Sequence, residues 1–366
     1  MDLAFNVPIN SVSFGQVSTC LLREAYRRKL DFPIFPIGSG VDLSSQEDDE
    51  GFFDWIKRNY DSSERKHSRA NPTFKLWHLK DSLSSMSERQ LLLSFYELDS
   101  PTDTELNIAK NNNLAFTSKF AIEAFRKNGI ESKYIPLPFD SDNFKRMEKL
   151  PNGKDFYEDD RIVFTVCGKV EKRKRHEKII RAWAKRFGGD KRYFLHCSIY
   201  NGFLSPEDNN GVVARILENK TYININFFPS MTKNATYNEF LNGGHIIIGM
   251  SGGEGWGLPE FQSVAIGKHS VIMDAHGYKS WANEQNSVLV SPDKKIDVYD
   301  NVFFKKDSDY NQGQIFDFDE DAFIDGCEKA IERYKTSPVN EEGLKLKEEF
   351  TPAKTLDSII SNISDI

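Results

Sequence analysis

The chain is expected to fold as an α/β protein in two parts, each with a parallel sheet wrapped by helices. Three observations lead there. Short apolar runs recur without polar alternation, as strands buried on both faces require. Longer segments of helical spacing separate them. The 366 residues suffice for two cores at about 100–200 residues per domain.

In the first half the strand-like runs are Asp2–Ile9, Phe32–Ile37, Phe74–Leu79, Leu91–Tyr96, Leu114–Thr117 and Tyr134–Ile135. Asp42–Arg69 is polar and charged. Phe52, Phe53 and Trp55 within it suggest one amphipathic helix, and loose order is expected near Ser62–Ser68. Pro136-Leu137-Pro138-Phe139 then leads into Asp140–Arg161, whose Pro151-Asn152-Gly153 resists either regular structure, so a domain boundary falls near residue 150. The runs resume at Ile162–Cys167, Tyr193–Ser198, Tyr222–Phe227, His245–Met250, Ser270–Asp274 and Val288–Val290. Ile179, Trp183 and Phe187 share one face of an intervening helix that covers the sheet. Phe323–Tyr334 and Ala353–Ile363 are helical in pattern, and spacing does not place them.

Composition narrows the function. With 48 Lys+Arg against 55 Asp+Glu the net charge is −7, which excludes a globally basic nucleic-acid coat but not a local patch. At 39% hydrophobic residues the chain is not disordered. No apolar run approaches the roughly 18–20 residues of a membrane span, and the N-terminus lacks a basic segment followed by an apolar one, so a cytoplasmic protein is expected. Cys20, Cys167, Cys197 and Cys327 lack ligand spacing and read as buried thiols.

The densest chemical signal is Ser251-Gly252-Gly253-Glu254-Gly255-Trp256-Gly257-Leu258-Pro259, directly after a strand. Its glycines let the backbone bend and approach a ligand, and Pro259 suits a first helical turn. A helix start offers free amides and a positive dipole end, which favour a phosphate or diphosphate. Glu254 suits sugar hydroxyls rather than phosphate. The second signal, Gly168-Lys169-Val170-Glu171-Lys172-Arg173-Lys174-Arg175, also follows a strand. It reads as an anion seat at a strand's carboxyl end, as a solvated basic loop, or as a nucleic-acid patch, the last weakened by the helical pattern from His176.

Together these segments resemble the nucleotide-sugar half of retaining glycosyltransferases of the GT-B fold, the large group 1 family. In that family a glycine–basic pair and a following lysine grip the donor diphosphate, and Gly168, Lys169 and Lys174 occupy the matching places. The family's E-G-F-G-L-P loop corresponds to Glu254–Pro259, and Ala265–Ile272 matches its helix end and next strand. The likeness covers Ile162 to Pro292. It implies two Rossmann-like domains with parallel sheets facing a central cleft: an acceptor domain (1–150), a nucleotide-sugar donor domain (151–340) and a last helix (341–366) crossing back to the first.

The implied activity is transfer of a sugar from a nucleotide-diphosphate sugar, of unspecified base, to an acceptor hydroxyl with retention. Lys169, Lys174 and Glu254 are the implied catalytic residues. Gly15, Gly168, Arg173, Gly253, Gly255, Trp256, Gly257, Leu258, Gln262 and His276 would surround the donor. Where the family has a second glutamate, eight residues after the first, this chain has Gln262, which still accepts through its carbonyl but lacks the charge. Three D-x-D matches, at Asp140, Asp307 and Asp317, are what chance gives in an acidic chain, so neither a catalytic metal nor another cofactor is expected.

The first half resembles the acceptor domain more loosely, through Asn10–Gln16, Thr117–Phe120 and Ile135-Pro136. Glu97 and Asp99 read either as groups that orient an acceptor hydroxyl or take its proton, or as caps of the next helix. The family's cleft histidine has no counterpart, and His78 reads as structural. A glycan, a lipid-linked sugar, a metabolite or a modified nucleobase would each serve as acceptor. A nucleotide-sugar epimerase of the same fold and a non-catalytic sugar-nucleotide-binding relative are the alternatives.

Overall fold

The computed structural model describes residues 3–366, so Asp2, the expected start of the first strand, lies outside them. Two six-stranded sheets carry the fold. The first contains β1 (Ala4–Ile9), β2 (Ile34–Val41), β3 (Thr73–Leu76), β4 (Gln90–Ser94), β5 (Asn113–Phe116) and β6 (Lys133–Tyr134), in the order β2-β1-β3-β4-β5-β6. The second contains β7 (Ile162–Gly168), β8 (Tyr193–Ile199), β9 (Ile225–Phe227), β10 (Ile246–Gly249), β11 (His269–Met273) and β12 (Val288–Val290), in the order β12-β11-β10-β7-β8-β9. Every pair in both sheets is parallel. The chain therefore reverses its direction of growth between β1 and β3 in one sheet and between β7 and β10 in the other. Crevices open above the carboxyl ends of strands at such reversals.

The covering helices are α1 (Ser13–Arg27), α2 (Glu50–Asp61), α3 (Ser63–Lys66), α4 (Asp103–Lys110) and α5 (Lys119–Arg126) in the first half. In the second they are α6 (His176–Phe187), α7 (Pro206–Ile216), α8 (Asn234–Gly243), α9 (Leu258–Ala265) and α10 (Glu320–Thr336). Two short turns, α11 (Glu341–Leu344) and α12 (Leu346–Glu349), lead to α13 (Pro352–Ser364). Ile179, Trp183 and Phe187 of α6 are buried, with Trp183 and Phe187 both packing on Phe164 of β7. The last helix lies on the first domain: it packs against α1, Thr355 Oγ1 donates to Pro136 O at 3.1 Å, and Arg28 meets Asp357 at 2.5 Å.

Two features differ from expectation. Ser62–Ser68 is held rather than loose, because Ser63 is buried and its hydroxyl bonds both the N–H and the C=O of Ile34 at the start of β2. The second is a hairpin, β13 (Lys294–Asp297) and β14 (Gln314–Asp317), paired antiparallel between β12 and α10. Its four-residue strands are too short for a period to register, and an irregular stretch separates them. All four cysteines are free and buried. Among the described residues no helix is long and apolar enough to cross a membrane.

Candidate functional site

β7 ends at Gly168, whose φ of +115° favours glycine and whose Cα faces the Lys174 side chain. One 3-10 turn, Lys172–Lys174, and a left-handed Arg175 separate it from α6. This tight turn directs Arg173 and Lys174 inward, where both are buried, and leaves Lys172 exposed. From the neighbouring strand β10 the chain enters Ser251–Gly257, and Gly257, at φ +87°, opens α9 with Pro259 in its first turn. The two loops are tied together: Gly252 N–H and Ser251 Oγ donate to Arg173 O at 2.7 and 3.2 Å, and Arg173 Nη1 donates to Gly253 O at 2.7 Å. Both motifs therefore meet at the reversal of the second sheet.

Six charges converge there. Glu254 Oε1 lies 2.5 Å from Lys174 Nζ and 3.0 Å from Arg173 Nη1. Arg173 also reaches Glu171 at 2.8 Å and, across the cleft, Glu97 at 3.0 Å. Lys169 Nζ lies 2.6 Å from Glu171 Oε1. Taking an ion from water costs several kcal/mol, so three cations set against three carboxylates is the arrangement that lets so many charges share a buried space. Burial alone would raise the Glu254 carboxyl, yet Arg173 and Lys174 hold it well below the ordinary range. For Glu97 burial prevails over Arg173, and its carboxyl is pushed up to about 7. Glu260, buried in the first turn of α9, is likewise pushed up to about 7 by burial, against the pull of Lys174.

The remaining predicted residues divide into those at the seam and those behind it. A Cβ on Gly253 would lie 2.6 Å from Glu97 O, and one on Gly255 would lie 2.8 Å from Phe95 Cβ. Glycine is thus required at both because the first domain's backbone closes on the loop. Thr117 Oγ1 adds a hydrogen bond to Gly255 O at 2.9 Å. Gly15 permits the turn into α1, since a Cβ there would lie 2.3 Å from Asn10 O. Next to it, the Gln16 amide pairs reciprocally with Asn234 of the second domain at 2.9 and 3.1 Å. Trp256 is buried against Phe261 and Phe350, so it anchors the loop to the core. His276 is buried behind the loop, its Nε2 2.7 Å from Ser251 O. Leu258 is half-buried and Gln262 buried within α9. Asp99 faces away from the cluster and binds the β13–β14 hairpin, through Lys295 and the Gln314 N–H, each at 2.7 Å.

Glu171, Glu260 and, apart from His78, which read as structural, the wall opposite the cations did not stand out in the sequence. That wall is aromatic: Phe14 stacks on Phe95 at 4.1 Å, and His78 lies 4.6 Å from Phe14 and 5.2 Å from Trp77. Burial, and then Lys169 and Arg173, push the His78 imidazole down to about 4, so it faces the cations uncharged. The signal for Glu171 was its place inside the basic run, one carboxylate among five cations. Among the described residues no three metal-ligating side chains cluster; Asp140 accepts from the Asp142 N–H, Asp319 caps α10, and Asp317 pairs with Arg175.

No family model and no curated protein matches the chain. Solved structures do. Sucrose-phosphate synthase from Thermosynechococcus elongatus aligns over 99% of this chain and 98% of its own, with a TM-score of 0.67 at 11% identity. HepE of Anabaena, in complex with UDP and glucose, aligns over 100% of both chains with a TM-score of 0.67 at 13% identity. A glycosyltransferase from Rickettsia africae aligns over 99% of this chain and 97% of its own, with a TM-score of 0.68 at 11% identity. The chain has the GT-B fold. Within that fold the cation cluster and the glycine loop lie at the seam where the two halves meet, with Glu97, Phe95 and Thr117 of the first half against them.

Proposed function

We propose that this protein transfers a sugar from a nucleotide-diphosphate sugar to an acceptor hydroxyl, with retention of anomeric configuration and without a metal. The observation that carries the reading is the placement of Arg173 and Lys174, buried beside the start of α9 at the reversal of the second sheet. A doubly charged diphosphate is the ligand for which buried cations and free helix-start amides suit one another. Among the similar folds, HepE is solved with UDP and glucose and also with UDP-glucose, and a trehalose-6-phosphate protein from E. coli with UDP-2-fluoro glucose.

In this reading Lys169, Arg173 and Lys174 receive the negative charge that grows on the diphosphate as the glycosidic bond breaks, and they do so preorganised. Glu254 neutralises two of those cations and then turns to the donor sugar's hydroxyls. Gln262 accepts from the nucleotide through its amide carbonyl. The acceptor oxygen bonds to the anomeric carbon on the face the diphosphate leaves, and its proton passes to the departing phosphate oxygen. Glu97, on the acceptor side of Arg173, orients that hydroxyl. The seam formed by Gly253, Gly255 and Thr117 keeps water from the reacting carbon.

A thermal-shift panel of UDP, GDP, ADP and their glucose and mannose conjugates tests the donor half, since a ligand of the folded state raises the midpoint. Mass gain on a supplied acceptor, undiminished in EDTA, tests the rest. Loss of all transfer on chelation would remove the metal-free mechanism. Nucleotide binding with no transfer to any acceptor would favour the non-catalytic alternative.

A further inference from the structure

Between β12 and α10 the second domain extends the β13–β14 hairpin, and the return strand of that hairpin lies in the seam of the candidate site. On one side Phe316 N–H donates to Gly252 O at 2.8 Å. On the other, Asp99 N–H donates to Gln314 O at 3.3 Å, and Gln314 N–H donates to Asp99 Oδ1 at 2.7 Å. Ile315, fully buried between them, fills the space in front of Gly252 and Gly253 and joins the apolar cluster of the first domain. The connection between the two strands runs on over that domain. Val298 and Phe304 enter its core, Thr102 Oγ1 donates to Asp309 O at 2.7 Å, and Asn311 N–H donates to Glu105 Oε1 at 3.0 Å. The root is fixed on the donor side, where Asp317 meets Arg175 at 2.9 Å and Lys178 at 3.0 Å.

The same connection reaches back to a donor-side lysine. Lys169 Nζ lies 3.9 Å from the ring centre of Phe303 and 5.1 Å from that of Phe203, and the two rings meet edge to face at 5.3 Å. A lysine ammonium on its flexible four-carbon stem has many rotamers. Two aromatic rings and the Glu171 carboxylate leave it few.

We propose that the hairpin is a strap through which docking of the first domain sets Lys169: Phe303 is a positioning residue for that lysine, and Asp99 is the catch that fastens the strap. Its part in catalysis rests on the reading of Lys169 as a diphosphate ligand; the strap itself does not. The test is amine acylation of the full chain with a limiting succinimidyl ester, read at Lys169 by mass spectrometry with exposed Lys172 as internal standard. Phe303→Ala is expected to speed labelling of Lys169 several-fold, and Phe303→Tyr to restore the wild-type rate. Asp99→Ala is expected to speed it as well, from across the cleft, while Lys172 is unchanged. Should Phe303→Ala perturb the fold, Phe303→Leu keeps the apolar bulk and removes the ring. A wild-type rate at Lys169 in either Phe303→Leu or Asp99→Ala overturns the strap. UDP calorimetry on the same proteins separates the two readings. A wild type that does not bind UDP counts against a uridine donor and leaves the labelling result standing. Wild-type UDP affinity in Phe303→Ala overturns the link to Lys169, and a roughly tenfold loss supports it.

Discussion

The two sheets reverse at different points, after their second strand in one and after their third in the other, and the crevices at the reversals have opposite linings. Above β7 and β10 lie three cations and three carboxylates; above β1 and β3 lie Phe14, Trp77 and His78, joined by Phe95 from the end of β4. On the proposed reading, the charged crevice receives the ligand whose charge changes during reaction. The aromatic one suits a ligand held by its faces and edges, with Glu97 the single carboxylate carried across to the cations. Topology makes the crevices, and the side chains divide the work between them.

That division is easiest to break on the charged side. Lys174→Ala is expected to lower kcat by about 10²–10³ while the chain stays folded, because Arg173 still pairs with Glu254; Lys174→Arg should recover part of the loss. The backbone of the charged crevice comes next. Gly257→Ala places a Cβ at φ +87° and 2.1 Å from the Tyr278 ring, so urea denaturation should show roughly 2–5 kcal/mol less stability. On the aromatic side, Trp77→Ala should raise the acceptor KM about three- to tenfold and leave donor affinity unchanged, the scale of a lost ring contact of roughly 0.5–1.5 kcal/mol. A change in donor affinity instead would show that the two crevices are not separate.

A further test of the charged side concerns pH. The Glu260 carboxyl lies at about 7 in the folded chain against an ordinary 4.5. The folded state thus binds this proton more tightly, and the group adds stability as pH falls from about 7 to 4.5, with none of that gain above 7. Glu254 has the opposite sign: its depressed carboxyl contributes stability above the ordinary 4.5 that is lost as pH falls through the depressed value. Chemical denaturation of Glu260→Gln should therefore show a flatter stability profile between pH 7 and 4.5 than the wild type.

The same contrast explains what was legible in the sequence. The charged crevice is built from two contiguous segments, Gly168–Arg175 and Ser251–Gln262, because one loop follows each strand at the reversal, and contiguous residues display their chemistry together. The aromatic crevice draws Phe14 from the start of α1 and Trp77 and Phe95 from the loops after β3 and β4, far apart in the chain, where each reads as one more core aromatic. The central strands of both sheets were legible because strands buried on both faces are apolar throughout, although the third ends at Leu76 rather than Leu79 and the ninth begins at Ile225 rather than Tyr222. Asp99 was legible as a charged residue after a strand, but its partners come from a hairpin whose strands are too short to announce themselves. Trp256 stood within the motif, yet its ring points into the core against Phe350, a contact with a segment that no local pattern connects to it.

The seat of α13 has a consequence for synthesis. Leu356, Ile359 and Ile363 complete the apolar layer that α1 begins, so the first domain reaches its final packing only after the whole of the second has been made. A ribosome that stalls before Pro352 leaves the amino-terminal sheet exposed along one flank, a sticky intermediate of the kind chaperones bind.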